Sequence, residues 1–110
     1  MHLAEARKAI RDYRKATGNV VGTIELMLTY VEYGTRFTCE YGSIDAPFYG
    51  SLESVLREMV TLLCQEGPDL YPRFRDRLEQ LATIADHIGW GYGDCVRDQV
   101  GYLEDELAGD

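Results

Sequence analysis

The residues with the chemistry to form a site gather at two punctuated stretches of this chain. Tyr41, Asp45, Phe48 and Tyr49 fall in one, and Trp90, Tyr92 and Asp94 in the other. Aromatic rings beside a few carboxylates are what protein interfaces and small-ligand clefts are built from. The same residues also have a purely structural use. Asp45 and Asp94 can cap helices, at about 1 kcal/mol each, while the rings wedge the corners together. The structural use is favoured, and the seven residues stand as a candidate interaction surface rather than a catalytic centre.

Dedicated catalytic and metal patterns are missing. Helical bundles hold di-iron centres through Glu and Glu-x-x-His pairs, and this chain has no Glu-x-x-His. His87 reads as a hydrogen-bonded residue at a helix C-terminus, where positive charge is favoured. Asp94 and Asp98 share a helical face, as acid–base pairs sometimes do, yet nothing around them suggests a dry pocket. There is no nucleophile elbow, phosphate loop or dinucleotide fingerprint. Cys39, Cys64 and Cys95 are far apart and lack metal spacing, so they are expected as reduced, buried thiols. The expectation is a protein that is not an enzyme and takes no cofactor or metal.

The elements around these residues are helical. Leu3, Ala6, Ile10 and Tyr13 recur at three- and four-residue steps and predict a helix over about 2–17. Gly18 suits its left-handed close and Asn19 the cap of the next helix, which should run from about Val20 to Tyr41 with Val21, Ile24, Leu28, Val31, Thr35 and Thr38 inward. Gly22 and Gly34 within it suggest close approach of a neighbour, or a kink. Pro47 opens a third helix that ends near Gly67-Pro68, and the fourth is expected after Pro72, carrying Phe74, Leu78, Leu81, Ile84, Ala85 and Ile88. Arg73, Arg75 and Arg77 crowd the start of that helix, where its dipole disfavours them, so carboxylates on neighbouring helices are expected as partners. Val96, Val100, Leu103 and Leu107 mark a last helix, with residues 104–110 expected to fray.

The 110 residues make one domain with one core. The fold expected is all-α, about five helices in antiparallel pairs, as a helical bundle or a short HEAT-like α-solenoid. A net charge of −8 opposes binding a phosphate backbone. Residues 1–17 run against that trend, with five cations and two acids, most simply a solvated basic face. Glu5, Arg7 and Lys8 interrupt any apolar leader, and no span reaches transmembrane length, so a cytoplasmic location without membrane contact is expected.

Tyr33 to Glu53, read with the later Ile88-Gly89-Trp90-Gly91-Tyr92-Gly93-Asp94, resembles two signature stretches of an uncharacterised family of small bacterial helical proteins, a domain of unknown function. Where that family carries an acid this chain has Ser43, and often also Ala46, which removes the acidic cluster. The resemblance implies an all-helical, repeat-like fold and no activity. Three functions follow as expectations. The first is a non-catalytic module binding another protein, with homo-oligomerisation compatible. The second is an acidic inhibitor that mimics nucleic-acid phosphates against a basic partner. The third is a small-ligand pocket where Tyr41 and Asp45 meet Trp90 and Asp94.

Overall fold

Glycine and asparagine divide the first two helices as the sequence predicts. Gly18 takes φ +63° and donates its N–H to the Arg14 carbonyl at 2.8 Å, closing α1 (Leu3–Thr17). Asn19 Oδ1 then accepts the Gly22 N–H at 3.0 Å and caps α2 (Val20–Tyr41). The computed structural model describes the backbone of residues 3–41, 46–87 and 91–108, and side chains over 5–37, 52–87 and 91–108. Three further helices complete it: α3 (Ala46–Glu66), α4 (Tyr71–Asp86) and α5 (Tyr92–Ala108). No strand occurs among the described residues.

The second corner is tighter than expected. Pro68–Leu70 forms a 3-10 turn, and α4 starts at Tyr71, one residue before Pro72. Proline is tolerated in a first turn because the N–H it lacks has no intrahelical acceptor there. At the other end, α4 stops at Asp86 with His87 as C-cap, so Ile88 does not extend it and lies outside the described residues. The last helix continues to Ala108, so the segment expected to fray is helical to that point. Leu103 is fully buried there and Leu107 packs on the core.

Two helix pairs form the body. α2 packs on α3 and α4 on α5, while α2 also meets α4 and α3 meets α5, so the four close a ring around one core. This is an all-α bundle. α1 lies along α2, outside the ring. Leu52, Leu56, Met59 and Leu63 of α3 are all at most 1% exposed, as are Phe74, Leu78 and Leu81 of α4, and all belong to one core cluster. Burying side chains of this size contributes about 1.5–3 kcal/mol each.

Charge locks the ring on its α2–α4 side. Arg77 donates from Nε and Nη2 to Glu32 at 3.1 and 2.7 Å, and from Nη1 to Glu25 at 2.6 Å. The arginine that the helix dipole disfavours thus finds its carboxylates on a neighbouring helix, and Glu32 above all holds it in its charged form. Arg75 instead pairs within α4, with Glu79 at 3.3 Å. Replacing Arg77 by Met leaves two half-buried carboxylates without a cation. Stability should fall by about 1–3 kcal/mol in urea unfolding, and an unchanged midpoint would contradict this role.

Candidate functional site

Of the seven residues singled out by sequence, the structure describes the side chains of two. Tyr41 closes α2, and Phe48 and Tyr49 lie in the first turn of α3, but their side chains fall outside the described residues, as do Asp45 and Trp90 altogether. Tyr92 belongs to the core and not to a surface. It is 0% exposed, and its hydroxyl shares a 3.2 Å hydrogen bond with Thr35 of α2, itself fully buried. Asp94 is exposed inside the first turn of α5, where its charge suits the helix dipole, and lies 3.6 Å from Arg97.

The start of α5 is fastened to the end of α4. Gly91 takes φ +72°, and its carbonyl accepts the Cys95 N–H at 2.9 Å. Arg97 then grips Asp86 with two hydrogen bonds, 2.8 and 2.5 Å, and so holds that carboxyl below the usual range. A side chain at Gly93 would run into Asp86, which makes glycine the residue that lets the two helices meet.

Two other surfaces carry more chemistry. The first is an apolar groove of about 370 Å³ between the outer flanks of α1 and α2, formed by Ala6 and Ala9 on one wall and Leu26, Tyr30 and Tyr33 on the other. Leu26 is 39% exposed and Tyr33 61%; besides Tyr102 on α5, they are the exposed large hydrophobics among the described residues. The Tyr33 ring leans on Phe37, with centroids 6.2 Å apart. At Gly34, which borders this groove, a Cβ would press into Leu52 of α3. Close approach, not a kink, therefore explains that glycine, and Gly22 likewise admits the Tyr13 ring.

The second surface is a charged cleft on the opposite flank of α1. Arg7 reaches across to Glu58 of α3 at 3.1 Å and donates to Ser54, and Arg14 pairs with Glu66. Two of the five cations of the first helix are thus bound across the fold. Lys8 pairs within α1, with Asp12 at 3.3 Å.

The two described cysteines, Cys64 and Cys95, have raised thiols. Cys95 is half-buried and hydrogen-bonds Glu53, and burial followed by that carboxylate pushes its thiol up to about 11. A neighbouring base exists, but its negative charge opposes the thiolate that a nucleophile needs. Burial raises Cys64 as well, and the Cys39 side chain lies outside the described residues. His87 and the pair Asp94 and Asp98 are exposed. Among the described residues no three His, Cys, Asp or Glu side chains gather to hold a metal, and no helix is long and apolar enough to cross a membrane.

No family model, curated protein or solved structure matches this chain. Its function is therefore read from its own geometry.

Two measurements check this description. Tyr92→Phe removes a buried hydrogen bond and should cost about 1 kcal/mol of stability, whereas a surface tyrosine would tolerate the change. Tyr71, nearly buried and donating to Glu104 at 2.6 Å, has its hydroxyl pushed up to about 12 by burial and then by that carboxylate. Its folded value exceeds the unfolded one, so the stability it contributes is full below about pH 10 and is lost as pH rises toward 12. Urea midpoints across that window should fall less steeply in Tyr71→Phe than in the wild type; parallel slopes would remove the assignment.

Proposed function

We propose that the protein is a non-catalytic interaction module that receives an apolar helical segment of a partner protein in the groove between α1 and α2. The observation that carries this is the contiguous exposure of Leu26 and Tyr33 along one groove. A monomer gains nothing from wetting such side chains, and a partner burying a leucine recovers about 1.5–3 kcal/mol.

The groove suits a helix. Leu26, Tyr30 and Tyr33 repeat at four- and three-residue steps, giving a ridge, and Ala6 and Ala9 leave room opposite for a second helix to approach. Glu5 and the paired Asp12 lie on the same outer flank of α1 as Ala9, and the whole chain carries −8. A partner segment with basic residues beside its apolar face is therefore the complement, and salt should slow its association. This reading is compatible with a bacterial cytoplasm, where the cysteines stay reduced.

A photo-crosslinking residue in place of Tyr33 tests the reading, with the same residue in place of Tyr102 as the exposed control on α5. In the native cell, the Tyr33 position should capture one partner protein, and Leu26→Ser should abolish the adduct while Tyr102 captures none. Equal capture from both positions, or a product containing only a second copy of this chain, overturns it.

A further inference from the structure

α1 is fastened to the four-helix ring more thinly than the members of the ring are to one another. Of its described side chains only Ala6 and Ile10 are buried, and Ile10 alone joins the core cluster, to which α2, α3, α4 and α5 each give three or more. Tyr13 is half-buried where its ring lies over Gly22. Ordering a helix costs backbone entropy at each of its fifteen positions, and two buried aliphatic side chains offset only part of that. A helix of this length is marginal alone in water, so α1 unwinds when it is not docked.

Charge supplies a further hold. Residues 1–17 contain five cations and two acids in a chain whose net charge is −8, so α1 is drawn toward the acidic remainder. Arg7 with Glu58 at 3.1 Å and Arg14 with Glu66 on α3 give that attraction its direction. The side chains of these pairs are 31–51% exposed, so dissolved ions reach and screen them. The docked contact also carries a cost, because Arg7 Nε is buried without a hydrogen-bond partner among the described residues and release returns it to water.

The junction allows release without damage to the ring. Gly18, at φ +63° with open space around it, closes α1 on the Arg14 carbonyl. Asn19 Oδ1 caps α2 through the Gly22 N–H, within α2's own first turn. α2 therefore keeps its cap when α1 leaves.

We infer that α1 is an electrostatic latch on the α1–α2 groove. It docks and undocks as one unit, ionic strength sets the balance through its attraction to the acids of α3, and the groove exists only while it is docked, since Ala6 and Ala9 are one of the two walls. That the latch regulates partner binding rests on the reading of the groove as a partner site; the docking equilibrium itself does not.

Native-state hydrogen exchange on the intact chain, with no partner present, tests the latch. The helical amides of α1 should exchange at least about tenfold faster than those of Leu28, Leu56 and Leu78, because α1 opens while the ring stays closed. Raising sodium chloride from about 10 mM to about 1 M shortens the screening length from about 30 to about 3 Å, and should speed α1 exchange about fivefold with the ring unchanged. Glu58→Gln combined with Glu66→Gln, both exposed changes, should speed α1 similarly at low salt. Glu79→Gln, which loses only the Arg75 pair within α4, should not. Equal protection of α1 and the ring, α1 exchange indifferent to salt, or no effect of the paired substitutions overturns the latch. Because no partner is present, failure of the latch and failure of crosslinking at Tyr33 are separate results.

Discussion

The burial of one stripe of α2 sets the rest of the structure. Ile24, Leu28, Val31 and Thr35 are all fully buried and recur at four, three and four residues, so together they fix the rotation of the helix about its axis. A helix is stiff, and once one stripe points to the core every other position has an assigned direction. Glu25 and Glu32 then fall beside α4, where Arg77 bridges them. Thr23 and Met27 become the floor between α1 and α3. Leu26, Tyr30 and Tyr33 are left toward the outer flank, beside α1.

The apolar groove and the charged cleft are both consequences of that rotation together with the position of α1. α1 rests on α2 through Ala6 and Ile10 and reaches α3 by ion pairs across the cleft. Its two flanks therefore border two different spaces. The flank carrying Arg7, Arg11 and Arg14 meets the acidic side of α3; the flank carrying Ala9 meets the aromatic side of α2. Partly exposed ion pairs add little stability individually. Their larger effect here is to hold the two walls of the cleft in register while the apolar contacts with α2 keep the helix in place.

Much of the fold was legible because punctuation and periodicity agreed. Gly18 and Asn19 marked the first corner, and the predicted bounds of α2 match the observed ones. The start of α4 at Tyr71 departs from the expected one because a proline inside a first turn and a proline before a helix look alike in a sequence. In the sequence Tyr92 looks like a corner aromatic because Gly91 and Gly93 flank it. Its spacing to Val96 and Leu103, both fully buried, is the helical signal that places it in the core. The α1–α2 groove was not legible, since α2 is apolar on several sides and exposure depends on which neighbours arrive. Cross-helix pairs such as Arg14 with Glu66 are equally invisible from letters. By spacing alone the cations of α1 form a solvated face, whereas in the structure Arg7 and Arg14 reach α3.

Two leucines two residues apart test the assigned rotation most directly, since Leu28 is fully buried and Leu26 is 39% exposed. Thermal unfolding of Leu28→Asp and Leu26→Asp should separate them sharply. The account predicts that the first no longer folds cooperatively, because a carboxylate cannot be buried there unpaired, while the second melts within a few degrees of the wild type. Similar losses in the two variants, or a greater loss at Leu26, would contradict the rotation of α2 and both surfaces that follow from it.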